Sequence, residues 1–191
     1  NKRRFLKVIL TLLLMTAFII VFLGATVFGK FEALSLYTDE ELAEHYAKVE
    51  NNFAPMPTLS QIGDPTETAY YDYFLSLMGI FTWDADYLIC RYDATAYNEQ
   101  IRLINDRYIF QQDDIITHGY CCEPIATING YTFRMLPVEG EYGAELQYPK
   151  RLVFIATNAE IGEIIYLSFY NDDLDYIDST VNFIYEDCGW K

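Results

Sequence analysis

The residues best suited to chemistry lie in the stretch HGYCCEP, His118 to Pro124, where one of only two histidines precedes two adjacent cysteines and a carboxylate. Disulfides, metal sites and reactive thiols all use such side chains. The four cysteines are Cys90, Cys121, Cys122 and Cys188. Four thiols allow three pairings, and the one that joins Cys121 to Cys122 closes a strained small ring. A bridge from Cys121 or Cys122 to Cys188 would instead tie down the C-terminal end. Closing a loop of about 65 residues in this way is worth roughly 4 kcal/mol in the chain-entropy description. His118, Cys121 and Cys122 would bind zinc only with a further ligand, Cys188 or Cys90. The two Cys-x-x-Cys knuckles that mark a zinc site are missing. A disulfide is therefore the first reading and free buried thiols, with Cys90 inside an apolar run, the second. A metal site comes third and a catalytic thiol last.

Other chemistry finds less support. The sequence has no G-x-S-x-G elbow, no H-E-x-x-H pair and no glycine-rich phosphate loop. No cofactor is expected. Asn171, Asp173 and Asp175 have the one-three-five spacing of a calcium loop, but Tyr176 replaces the turn glycine and Asn182 the bidentate glutamate. Acidic groups that complement a helix dipole explain this run better. Aspartates and glutamates are plentiful, yet sequence singles out no catalytic pair. His45 sits beside Tyr46 on an amphipathic stretch and reads as structural. Among the 17 tyrosines, Tyr70, Tyr71 and Tyr73 fit no clean period, and Tyr166 and Tyr170 share the run IIYLSFY. These five form a candidate aromatic binding surface, since aromatic side chains dominate ligand sites as well as cores.

Thiol chemistry depends on compartment, and the compartment is written at the start of the chain. NKRRFLK is followed by Val8 to Gly29 without a charge. About 22 apolar residues make a helix near 33 Å long, enough for a bilayer core of about 30 Å. The run exceeds the apolar part of a cleavable signal and lacks an A-x-A site, so an uncleaved signal anchor is preferred. Its basic flank stays cytoplasmic and the remainder crosses. Four of the 13 basic residues precede this run, and all 28 acidic residues follow it. A surface so acidic repels nucleic acid and anionic lipid head groups.

The elements that would carry a site begin beyond the anchor. Thr38 and Glu41 have the form of a capping box, and Leu42, Tyr46, Val49 and Phe53 recur at helical spacing. APMPTLSQIGDP reads as a linker. TETAYYDYFLSLMGIF is ambiguous between helix and strand. DYLICRYD has strand composition, and Asp93 is placed to cap a helix with the stripe Tyr97, Ile101, Ile104 and Tyr108. Asn129-Gly130 between β-rich runs signals a hairpin, and a second is expected to turn near Asn158 to Gly162. The spacing of Leu174, Ile177, Val181 and Ile184 predicts a closing helix, stopped by Gly189. IIYLSFY is apolar on both alternating sets, so it is either a central strand or meets a partner.

Together these features predict an α+β fold with a mainly antiparallel sheet and helices on one face, preceded by an N-terminal transmembrane helix. Residues 1–29 form the basic tip and anchor, 30–64 a juxtamembrane helix and linker, and 65–191 an extracytoplasmic domain. The combination of a basic anchor, a TDEEL helix, a PMPTL linker, the DYLICRYD strand and the YLSFYNDDLDYID ending resembles small membrane-anchored envelope proteins of uncharacterised function from Gram-positive bacteria. The resemblance implies the anchored architecture and compartment, and no activity. The function expected is a membrane-tethered binding or accessory domain without catalysis, whose ligand is a protein, a peptide or a small molecule. The alternative is an envelope thiol- or metal-dependent enzyme centred on His118, Cys121 and Cys122.

Overall fold

The computed structural model describes residues 14–16, 30–52, 56–77, 81–117, 120–137, 151–171 and 179–190. The apolar run expected to cross the membrane lies almost wholly outside these residues. Among the described residues, no helix is long and apolar enough to cross a membrane.

Strand β1 (Lys30–Thr38) leads directly into helix α1 (Asp39–Asn52). After a 3-10 turn at Leu59–Gln61 come β2 (Glu67–Leu77), β3 (Phe81–Arg91) and α2 (Ala94–Arg107). β4 (Ile115–Thr117) and β5 (Tyr120–Cys122) pair as a separate two-stranded sheet. The chain continues as β6 (Ile125–Ile128), β7 (Tyr131–Leu136), β8 (Arg151–Asn158) and β9 (Glu163–Asn171). It closes with a single turn, α3 (Thr180–Asn182), drawn out into a π-helical turn over Phe183–Asp187. Seven strands form one antiparallel sheet in the order β1-β2-β3-β9-β8-β7-β6.

β9 is thus the middle strand, which explains its apolar residues on both alternating sets. Residues 151–156 of β8 and 163–169 of β9 are buried without a break. A strand is buried in this way when both sheet faces are covered. On one face, Leu42, Tyr46 and Val49 of α1 and Tyr97 and Ile104 of α2 pack with Tyr70, Leu88, Ile155 and Tyr166. On the other, Phe183, Ile184 and Cys188 pack with Phe133, Phe154 and Phe169. The two long helices share one face, as expected. The C-terminal turn lies on the opposite one, because that face is just as apolar and must also be shielded from water.

Local signals explain several elements. Asp93 caps α2 through its carboxylate, which accepts from the backbone N–H groups of Thr95 and Ala96 at 2.8 and 2.9 Å. Asn129 and Gly130 adopt φ of 50° and 83°, the positive angles of a type I′ hairpin between β6 and β7. The ambiguous TETAYYDYFLSLMGIF run supplies β2, paired with β1 and β3. In the closing segment, Leu174 and Ile177 lie outside the described residues. Ile184 is buried, whereas Val181 is 39 % exposed. Phe183 takes the inward place that helical spacing assigned to Val181.

Residues 30–64 do not stand apart from the sheet. β1 pairs with β2 along its length, from Lys30 opposite Leu77 to Thr38 opposite Ala69. The expected linker is also held down. Met56 and Ile62 are buried, the Tyr46 hydroxyl donates to the Pro57 carbonyl at 2.6 Å, and the Tyr92 hydroxyl donates to the Ile62 carbonyl at 2.8 Å. Both carbonyls lie outside α-helix and sheet, so side-chain hydroxyls satisfy them instead.

Candidate functional site

The face that carries the C-terminal turn is not fully covered. Towards β1 it opens into a groove of about 800 Å³, whose lining includes Leu36, Tyr71, Ile89, Arg91, Tyr131 and Glu163. Sheet alternation puts Leu36, Tyr71, Ile89 and Glu163 on the same side of β1, β2, β3 and β9, because every second residue points the same way. A smaller recess of about 210 Å³ shares Tyr71 and Ile89 and continues to Leu34, Tyr87 and Trp190. The lining is mixed: Leu36, Tyr71 and Ile89 are apolar or aromatic, and Thr38, Thr66, Glu67 and Thr68 are polar.

One end is polar. Glu67, Arg91 and Glu163 are directly opposite one another across β2, β3 and β9. Arg91 donates from Nη1 to Glu67 at 2.7 Å and from Nη2 to Glu163 at 3.0 Å. The Tyr131 hydroxyl donates to the other Glu163 oxygen at 2.5 Å. Glu163 is only 6 % exposed, and these two donors make that burial tolerable. The carboxylate holds the Arg91 guanidinium more firmly protonated than usual. Burial, with the Glu163 hydrogen bond and charge, pushes the Tyr131 phenol upward. A concave surface that joins apolar side chains to a few convergent polar groups can hold a ligand.

A second cluster lies on the opposite face, beside α1. Tyr37, His45, Lys48, Tyr70 and three aspartates, Asp72, Asp84 and Asp86, border a recess of about 290 Å³. Asp72 and Asp86 are directly opposite each other on β2 and β3. The Tyr70 hydroxyl donates to Asp86, which is 8 % exposed. Burial pushes the Asp86 carboxyl up to about 7. The charges of Asp84 and Asp72 add to this, while the Tyr70 hydrogen bond and Arg151 oppose it. Burial also raises Asp72, against the pull of His45 and Lys48. The His45 ring stacks on Tyr37 with centroids 3.7 Å apart, which gives it the structural place expected of it. Among the described residues, no group of histidine, cysteine and carboxylate side chains is arranged to hold a metal ion.

The residues singled out from sequence are dispersed. Tyr70 and Tyr166 lie buried under the helices, and Tyr170 shares that face with its ring 5.1 Å from the Arg151 guanidinium. Tyr71 and Tyr73 point to the other face. Tyr73 is 2 % exposed, and Tyr71 alone of the five lines the groove. They do not form one surface, because consecutive strand residues face opposite ways. Cys90 is free and buried among the residues under α1 and α2, where burial pushes its thiol up to about 12. A thiol so protonated is a poor nucleophile. Cys188 is buried on the opposite face, so the sheet separates it from Cys90 and rules out a bridge between those two. No disulfide is seen among the described residues.

His118 and the side chains of Cys121 and Cys122 lie outside the described residues, as do Asp173 and Asp175 of the weak calcium-loop match. What the structure does place is Glu123, at the end of the same stretch. Its carboxylate and carbonyl accept from the Thr180 hydroxyl at 3.1 and 2.7 Å, fastening the approach to β6 onto the closing turn. Its own backbone N–H and Thr180 hold its carboxyl below the usual range.

Sequence reasoning missed Asp86, Arg91, Tyr131 and Glu163. A signal was available in DADYLIC, where two aspartates occupy same-face positions of a strand otherwise made of core residues. No family model matches the chain, and no curated protein or solved structure is significantly similar to it. The fold and the groove define an acidic α+β domain built on one antiparallel sheet, covered on both faces and open at one side.

Proposed function

We propose that this chain is a membrane-tethered extracytoplasmic domain that binds its ligand in the groove bounded by Leu36, Tyr71, Ile89 and the Arg91–Glu163 pair, without catalysing a reaction on it. The single observation that carries this reading is the groove itself, whose volume suits a short peptide or a small molecule. Supporting it, the polar groups at its end pair with one another, Arg91 with Glu67 and Glu163 and Tyr131 with Glu163, as positioning groups do. The tether comes from the uncharged run Val8 to Gly29, and with it the compartment.

The two tryptophans supply the test. Trp190 borders the recess that extends the groove, so in the full chain carrying Trp83→Phe its fluorescence reports on that site alone. Titrating the detergent-solubilised protein with a panel of short peptides and small aromatic compounds should give a saturable change that Tyr71→Ala abolishes. If nothing in the panel produces a saturable signal, or if Tyr71→Ala leaves it intact, the groove is not the site.

A further inference from the structure

The two edges of the sheet are built differently. β6, at one edge, has four residues, follows Pro124, and lies beside the closing turn through the Thr180–Glu123 contact. β1, at the other, has nine residues without a proline and pairs with a neighbour on one side only among the described residues. Its second edge presents a row of backbone N–H and C=O groups. Proteins commonly blunt such edges with short strands, prolines or inward charges, because an open one is a template for another strand. β1 has none of these devices among its described side chains beyond Glu32. Leu34 and Leu36, on the groove side, are 58 % and 53 % exposed.

We infer that β1 is a strand-addition site, at which an extended basic peptide pairs with the open edge and lays alternate apolar side chains beside Leu34 and Leu36. This inference rests on the binding reading above and names the class of partner. Backbone pairing would supply affinity, and the exposed leucines would select apolar residues at every second position of the incoming strand. Charge selects the rest. Glu32 is exposed on β1, Glu41 and Glu44 are exposed on the helix packed behind it, and Glu67 is exposed on β2. Beyond the apolar run the chain carries nine basic residues against 28 acidic ones. A basic strand is attracted to this edge and an acidic one repelled.

The test uses the full chain in detergent and two labelled peptides of sequence Lys-Thr-Val-Thr-Val-Thr-Lys, one of them N-methylated at alternate backbone nitrogens. Fluorescence anisotropy reports binding, and hydrogen exchange reports protection along residues 30–38. The unmodified peptide should bind saturably and protect β1. Binding should weaken at least about tenfold for the N-methylated peptide and for Leu34→Lys/Leu36→Lys. Those leucines are exposed, so the variant should keep the wild-type circular dichroism. If it does not, the N-methylated peptide decides alone. Equal binding of both peptides would overturn the edge inference while leaving the groove reading in place, because the contact would then be made by side chains. Failure of both peptides to bind, with a groove ligand still bound, would overturn it too. A peptide-independent dimer lost in Leu34→Lys/Leu36→Lys would assign the edge to a second copy of the chain and equally overturn it.

Discussion

Replacing Asp86 by Asn isolates the cost of keeping a carboxyl under α1. Asp86 is 8 % exposed and faces Asp72 across the β2–β3 pair, and burial pushes its carboxyl up to about 7. In the unfolded chain an aspartate titrates at about 3.9, and a tenfold change in proton affinity is worth about 1.4 kcal/mol. The folded state therefore holds this proton more tightly than the unfolded state does. Stability is unaffected below about pH 4, falls as pH rises from about 4 to about 7, and is flat above. The total loss is at most about 4 kcal/mol, and water reaching the recess reduces it. Asn keeps the shape and the acceptor for the Tyr70 hydroxyl but cannot ionise. At pH 8, Asp86→Asn should be more stable than the wild type by about 1–3 kcal/mol, a rise of about 2–10 °C in Tm for a chain of this size. At pH 4 the two should coincide. Urea melts followed by tryptophan fluorescence at pH 4, 6 and 8 measure both arms. A variant less stable than the wild type at pH 8, or one with the same pH slope between 4 and 7, would refute the reasoning. The first result would mean that the charged carboxylate is stabilised by its partners, and the second that Asp86 does not titrate there.

Further substitutions test the other elements. Gly162→Ala should destabilise the β8–β9 turn by about 1–3 kcal/mol in urea melts, because φ is +66° and the new Cβ would lie 2.6 Å from the Tyr92 carbonyl oxygen. Asp93→Ala removes the cap of α2 and should lower stability by about 1 kcal/mol, with amide exchange rising at Thr95 and Ala96. Tyr46→Phe strands the Pro57 carbonyl and should cost about 1–3 kcal/mol. A flexible linker at 54–65 would make that variant neutral, so the melt also measures how firmly this segment belongs to the sheet. Glu163→Gln should weaken any groove ligand that contacts Arg91 and shift the Tyr131 absorbance titration downward, since the carboxylate charge opposes phenolate formation. An unchanged tyrosine titration would refute that coupling.

Local order was legible in the sequence wherever a few neighbouring residues decide it. The period of Tyr97, Ile101 and Ile104, the cap at Asp93 and the turn at Asn129-Gly130 each involve groups within a few positions of one another, and each appears in the fold. Thr38 and Glu41 marked the start of α1, but the nine residues before it, assigned to the juxtamembrane helix and linker of 30–64, are strand β1. Its hydrogen bonds go to β2, more than thirty positions away, and only pairing makes such a segment a strand.

What the tertiary structure alone decided is which side chains share a face. Tyr70 and Tyr71 are neighbours in sequence and lie on opposite sides of the sheet, one under α1 and one in the groove. Glu67, Arg91 and Glu163 are spread over almost a hundred residues of sequence and stand in one row. Asp72 stands opposite Asp86, and its charge helps raise the Asp86 carboxyl, for the same reason. Cross-strand register is set by the summed burial of every strand at once, and a slip of one residue would reverse all of these assignments. Composition therefore determined that this protein would be acidic and aromatic, and local turn and strand signals that its sheet would be mainly antiparallel, while register, a property of the whole sheet, determined where its groove and its buried carboxyl lie.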